Sequence, residues 1–185
     1  MLSFVTAMAS GLLATAAAGL VPISLHPGTN QIANIAGDGK TGTISLYWRE
    51  NGNAWGYNIL LVSAGGSLAT VEGKDHFTAR PHTGEDVITS VRFARGRYKG
   101  HLTTFALVAD RNIVDAVPNP AATTITIYAL TRSDEPLGTP YLFAKVNALH
   151  PKRRYCDADM ALKTEVGFPL PTDYSGPAAV DGCIR

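Results

Sequence analysis

Short stretches that alternate between apolar and polar residues recur along most of the chain. Residues 43–48 read TISLYW, with the large apolar side chains mostly at the even positions, and residues 124–128 read TITIY. A period of two is typical of a β-strand with one buried face, because successive side chains point to opposite sides. Further candidate strands are 20–26, 56–63, 67–72, 86–93, 102–109 and 141–147. The alternation therefore predicts many short antiparallel strands.

The segments between these strands have the composition of turns. They read GDGKTG, NGN, AGG, PHTGED, RGRYKG, PNP and DEPLG, all rich in Gly, Asn, Asp and Pro. A parallel sheet would need crossover helices of ten or more residues, and no helical period of that length separates the strands. The pattern favours an all-β sandwich or barrel of antiparallel strands. Residues 105–109, apolar on both sides, are expected at the centre of a sheet.

One helix is predicted, at residues 157–166. Asp157 is a good N-cap, Asp159 suits the positive end of the helix dipole, and Gly167 can take the left-handed conformation that ends a helix. The apolar residues Ala158, Leu162 and Val166 fall on one face of this helix. We expect that face to pack against the sheets.

The N-terminal segment resembles a secretory signal peptide. No Lys, Arg, Asp or Glu occurs before Asp38, and residues 1–18 have an apolar middle followed by small residues. An apolar helix that is retained is the alternative. A membrane span in the mature protein is not expected, because small residues dilute the run and Pro22 interrupts it. We therefore predict export to the periplasm or medium, with residues 19–185 forming a single domain.

The two cysteines agree with export. Cys156 and Cys183 both lie near the C-terminus, and an oxidising compartment favours a disulfide between them. Such a bond would stabilise the fold by roughly 3–4 kcal/mol on the chain-entropy model. Two unrelated buried thiols are the alternative.

Charge excludes some partners and suggests one local site. The formal net charge is +1 and 17% of the residues are charged, so a nucleic-acid partner is not expected. Arg92, Arg95 and Arg97 form a basic run that could bind a carboxylate or a phosphate. Solvated charges that protect a sheet edge are the alternative.

Candidate metal ligands are few, and no cofactor is certain. Asp110, Asn112 and Asp115 offer oxygen ligands to a cation such as Ca²⁺, although turn formation explains them equally well. A second group could form a hydrolytic metal site; it consists of Asp75, His76 and His82. No Gly-x-Ser-x-Gly or Ser-x-x-Lys motif is present, so a serine hydrolase is not expected.

Residues 47–62, YWRENGNAWGYNILLV, predict a hairpin. Asn51, Gly52 and Asn53 suit its loop, and Trp48 and Trp55 can pair across the two strands. Structure alone can account for this stretch.

Three segments resemble a known family, the carbapenem intrinsic-resistance (self-resistance) proteins. They read WRENGNAWGYNILLV, VADRNIVDAVPNPAATTITIYAL and GTPYLFAKVNALHPKRRYCDADMALKTEVG. The resemblance implies an exported, non-catalytic protein built as a sandwich of two antiparallel sheets, found as a homodimer and able to bind a cation. The family is structurally similar to periplasmic inhibitors of invertebrate-type lysozyme.

Under this resemblance the hairpin becomes a candidate recognition edge, since aromatic side chains with one polar end suit a partly apolar interface. Its residues are Trp48, Arg49, Glu50, Asn51, Trp55 and Tyr57. The expected role is protection of the cell by binding an antibiotic, such as a β-lactam, or its target, which would be a cell-envelope protein. The alternatives are a secreted inhibitor of a lysozyme-like hydrolase and a metal-dependent hydrolase.

Overall fold

The strands form two antiparallel sheets, and one α-helix follows them in the chain. The computed structural model describes residues 19–52, 56–80, 87–135, 138–172 and 174. The first sheet has the order β1 (Val21–Ile23), β7 (Thr89–Tyr98), β8 (His101–Asn112), β9 (Ala122–Arg132) and β10 (Tyr141–Leu149). The second sheet has the order β2 (Gly28–Ile32), β3 (Gly42–Arg49) and β4 (Tyr57–Ala64), with both β5 (Ser67–Leu68) and β6 (Phe77–Ala79) paired to β4.

The predicted all-β sandwich is confirmed. Residues 105–109 lie in β8, which is the central strand of the first sheet, as their two-sided apolar character predicts. Strand β2 was not predicted because its alternation contains a buried amide, Asn30, whose Nδ2 donates to the carbonyl oxygens of His26, Gly28 and Ile44. The three-residue strand β6 was also missed.

The space between the sheets contains the main apolar core. The ring of Phe77 meets Phe93 and Phe143 edge to face, with centroid distances of 5.7 and 5.0 Å. Tyr128 lies in the same core and its hydroxyl donates to Glu72 across 2.9 Å. Burial, followed by this bond, raises the pKa of Tyr128 to about 12.

Hydrogen bonds connect the two sheets at two corners. Beyond β6, the backbone of Arg80 exchanges hydrogen bonds with Thr89 at the start of β7. Beyond β5, Thr70 bonds to the backbone of Tyr141 and Phe143 in β10. The sheets are therefore joined by backbone bonds as well as by side-chain packing.

The helix α1 (Ala158–Val166) covers the outer face of the first sheet and completes a second core. The side chain of Asp157 caps it by accepting from the backbone N–H groups of residues 159 and 160, and Gly167 ends it with φ 70°. Leu162 is almost fully buried against the outward side chains of β8 and β9. The predicted helix and both of its ends are thus present.

An ion pair fixes the helix to the sheet. The carboxylate of Asp159 accepts from both Nε and an Nη of Arg92 at 2.9 and 2.8 Å, and from the hydroxyl of Ser90 at 2.5 Å. Asp159 was predicted only to complement the helix dipole. Its closer role is to pair with Arg92 on the covered face of the first sheet.

Within the described ranges, the chain forms no helix of the length and apolar character that crossing a membrane requires. The predicted signal peptide, residues 1–18, lies outside the described residues.

Candidate functional site

The candidate site is on the outer face of the second sheet, where the odd-numbered side chains of β3 and β4 point away from both cores. Register places Tyr47 opposite Ile59 and Arg49 opposite Tyr57. On the next strand, Thr29 lies opposite Ser45. We call these six residues the outer patch: Thr29, Ser45, Tyr47, Arg49, Tyr57 and Ile59.

Three hydroxyl groups form a cluster at one end of the outer patch. The Thr29 hydroxyl lies 3.2 Å from that of Ser45 and 3.4 Å from that of Tyr47. Because Thr29 pairs with Ser45, the Tyr47 side chain must lean diagonally across the sheet to reach it. Hydrogen bonds from Thr29 and then Ser45 lower the pKa of the Tyr47 phenol below its ordinary value. The residue remains 46% exposed.

An arginine and a second tyrosine occupy the other end of the outer patch. The guanidinium carbon of Arg49 lies 6.0 Å from the ring centroid of Tyr57, at the limit of a cation–π contact. Among the described residues, no carboxylate lies within ion-pair distance of Arg49. The guanidinium is therefore oriented by a ring and exposed to solvent.

The other residues of the predicted recognition edge lie elsewhere. Trp48 points to the opposite side of β3 and packs its ring directly on Gly56, where a Cβ atom would collide with it. Glu50 and Asn51 are exposed at the turn after β3, and Trp55 lies outside the described residues. The structure thus brings Arg49 and Tyr57 together and turns Trp48 away from them.

Sequence reasoning missed Tyr47, Thr29 and Ser45 as site residues. The signal for Tyr47 and Ser45 was present, because a period of two places both on the same face as Arg49. Thr29 could not be found in this way, since β2 itself was not predicted.

The three arginines predicted as one anion site do not form one. Arg92 points to the helix side of β7 and pairs with Asp159, whereas Arg95 points to the opposite side. Arg95 donates to the backbone carbonyls of Asn34 and Ile35 and so holds the loop between β2 and β3. Arg97 is exposed and donates to the carbonyl of Gly100. Alternation along β7 separates Arg92 from the other two arginines, and Arg95 and Arg97, on one side, bond to different backbone segments.

The hydrogen bonds of the predicted calcium ligands do not bring these residues together. Asp110 accepts from the Thr89 hydroxyl at 2.6 Å and lies 3.6 Å from the Arg80 guanidinium. Asn112 and Asp115 are exposed on and after the end of β8. The described residues contain no group of three or more His, Cys, Asp or Glu side chains placed to hold a metal. The calcium site stays a prediction.

A buried arginine in β8, between Asp110 and Asn112, holds the loop that follows this strand. Arg111 is 2% exposed, and it donates to the carbonyls of Tyr155, Val117 and Asn119. These bonds tie the loop after β8 to the segment that leads into α1. The role of Arg111 is structural. Its burial could not be predicted from the sequence, because a charged residue in a strand is ordinarily expected at the surface.

The remaining predicted groups are only partly described. His76 Nδ1 lies 2.7 Å from Asp75 Oδ1, and this hydrogen bond lowers the pKa of the Asp75 carboxyl. His82, the third member of that predicted metal site, lies outside the described residues. Cys156 is half-buried just before the helix cap. Cys183 lies outside the described residues, so the disulfide stays a prediction.

Comparison with known proteins gives one structural likeness. No protein-family model matches the chain, and no curated protein matches it significantly. The fold is similar to that in the crystal structure of CarG, with a TM-score of 0.61. The two sequences are 21% identical, and the match covers 78% of this chain and 95% of CarG. This likeness supports the sandwich fold and leaves the activity to be argued from the site.

Proposed function

We propose that this protein is an exported, non-catalytic binding protein that protects the cell by binding an antibiotic or its target. The outer patch carries the proposal, because it combines the exposed ring of Tyr47, the half-buried ring of Tyr57, hydroxyl groups and one cation on a sheet face. Such a surface suits a ligand that is apolar on one side and polar on the other.

The resemblance in sequence suggests the class of antibiotic. The fold of this chain is similar to that of CarG along most of its length. Three segments of the chain also resemble carbapenem intrinsic-resistance proteins. Since fold alone does not fix function, carbapenem binding by this chain is a proposal that rests on the outer patch and the resemblance together.

A binding measurement with a carbapenem tests the proposal. Purified protein is titrated with imipenem by calorimetry, while the absorbance of the intact lactam is followed in the same mixture. We expect binding with no loss of lactam absorbance. Tyr57→Ala should weaken binding by at least about tenfold, whereas Val114→Ala, a change on an exposed loop outside the patch, should not alter it. Lactam hydrolysis that requires this protein would contradict a non-catalytic role.

Protection is tested in cells. A susceptible bacterium that exports the wild-type protein should grow at a higher imipenem concentration than one that exports Tyr57→Ala at equal abundance. Fractionation of the same cells checks the proposed periplasmic or secreted location, and sedimentation equilibrium of the purified protein checks the proposed homodimer. Equal growth of both strains would count against the outer patch.

A further inference from the structure

The outer patch differs from an ordinary solvated sheet face in its charge. The outward positions of the second sheet carry one guanidinium among hydroxyl, amide, aromatic and aliphatic side chains, and none of the described ones is a carboxylate. These positions are Thr29, Gln31, Thr43, Ser45, Tyr47, Arg49, Tyr57, Ile59, Leu61, Ser63, Leu68 and Thr78. Arg49 is therefore the charged side chain among these outward positions. It lies at the end of the face beside Tyr57, and no described carboxylate there neutralises it.

Apolar contacts lie beside that charge. Ile59 and Leu61 are half-buried and belong to neither of the two cores. Ile59 stands opposite Tyr47, which is 46% exposed. A ligand that places a flat apolar body on Tyr47 and Ile59 would bring a substituent on one side toward Arg49.

The size of the outer patch favours a small molecule. From Ser45 to Arg49 the patch extends over four residue-to-residue steps of a strand, about 13 Å, and it crosses three strands, about 10 Å. A stable protein interface needs roughly 800 Å² from each partner, several times the area of such a patch. The patch therefore fits one ligand of drug size or smaller better than a second copy of the chain.

From these observations, and resting on the proposed function, we propose that the outer patch binds small amphipathic molecules that carry a carboxylate, with Arg49 holding the carboxylate. A planar guanidinium donates two parallel N–H bonds to a carboxylate, and Tyr57 orients that plane. The hydroxyl cluster of Thr29, Ser45 and Tyr47 then meets polar groups at the far end of the ligand. A carbapenem, which has a carboxylate beside its fused rings, belongs to this class.

A pair of isosteric probes tests the proposal. Phenylacetate and phenylacetamide have the same shape and differ in charge, so their affinities report directly on the carboxylate. We expect phenylacetate to bind in the millimolar range and to shift backbone amide resonances of β3 and β4, with phenylacetamide at least about tenfold weaker. Equal affinity of the two probes, or no binding of either, would overturn the proposal.

Variants of Arg49 separate charge from geometry. Arg49→Gln should weaken phenylacetate binding by at least about tenfold and leave phenylacetamide unchanged, and Arg49→Lys should give an intermediate loss because the fork is removed but the charge is kept. The matched control is Arg97→Gln, another exposed arginine, on the first sheet. An equal effect of Arg97→Gln would show a general charge effect and overturn the assignment to Arg49.

The same samples distinguish this inference from the proposed function. If imipenem binds wild type and Arg49→Gln equally well, the carboxylate assignment fails while the proposed function stands. If phenylacetate binds through Arg49 but imipenem does not bind, the assignment stands and the proposed function fails. Circular dichroism of each variant confirms that it is folded.

Discussion

The outer faces of the two sheets differ, although both sheets are built from alternating antiparallel strands. On the first sheet, Leu107 and Ile127 point outward and are fully buried because α1 covers them. On the second sheet, Tyr47 and Ile59 point outward with no described element over them. A face with rows of large apolar residues such as Leu107 and Ile127 requires a cover, whereas a face that mixes hydroxyls with rings can remain open.

The largest loss of stability should come from weakening the packing of α1, which covers the first sheet. Leu162→Ala removes a fully buried side chain from α1 and should lower the free energy of unfolding by about 2–5 kcal/mol. The matched change on the open face, Leu61→Ala, should cost less than about 1 kcal/mol because Leu61 is only half-buried. Urea denaturation measures both. Equal losses would show that the second sheet is also covered.

A smaller loss is expected when the ion pair under the helix is broken. Asp159→Asn removes the charge that Arg92 pairs with, and since the Asp159 side chain is 5% exposed but that of Arg92 is 32% exposed, we expect a loss of about 2 kcal/mol. Asp134→Asn, a change at an exposed carboxylate, is the control. If the two variants are equally stable in urea, the ion pair does not stabilise the packing of α1 on the first sheet.

The helix cap gives a pH-dependent effect. Burial raises the pKa of Asp157 above 3.8, even though the backbone N–H groups of Val87, Met160 and Asp159 oppose it. Because the folded-state pKa is raised, the stability contributed by this carboxyl is largest below the unfolded pKa and is lost as pH rises through the folded pKa.

The comparison that measures this effect is wild type against Asp157→Asn, which keeps a capping side chain. The free energy of unfolding of wild type, relative to that of the variant, should fall as pH rises from about 3 to about 6. Urea denaturation at each pH measures it. A relative stability that rises with pH would show that the N–H bonds outweigh burial.

The smallest effect should appear on the open face. Tyr47→Phe removes a phenol from the outer patch and should leave stability almost unchanged. Its signature is spectroscopic: the ultraviolet titration of tyrosinate should lose a component that ionises below the ordinary value of 10.0. Tyr98→Phe is the control. Retention of the low component in Tyr47→Phe would mean that another tyrosine is perturbed.

The contrast between the faces also shows how far the sequence leads. The alternation at residues 124–128 and the apolar run at 105–109 were sufficient to predict the strands, the sandwich and the central strand, since burial depends on period and hydrophobicity. The helix could be predicted because Asp157 and Gly167 mark its ends locally.

The candidate site could be predicted only in part. Arg49 and Tyr57 were expected to act together, and strand register brings them opposite one another. Thr29, which contacts Ser45 and Tyr47 at the other end of the patch, comes from a strand that could not be recognised. Arg92 and Arg95, three residues apart, lie on opposite faces, and their partners come from distant parts of the chain. Contacts that depend on the pairing of distant segments are not encoded in local spacing.

The position of α1 in the chain has a consequence for synthesis. Every strand of the first sheet precedes the helix, so the side chains of Phe105, Leu107 and Ile127 can meet each other before residues 158–166 have emerged. During that interval the apolar outer face of the first sheet is uncovered, and a holding chaperone would bind there. The outer face of the first sheet is covered only when α1 docks.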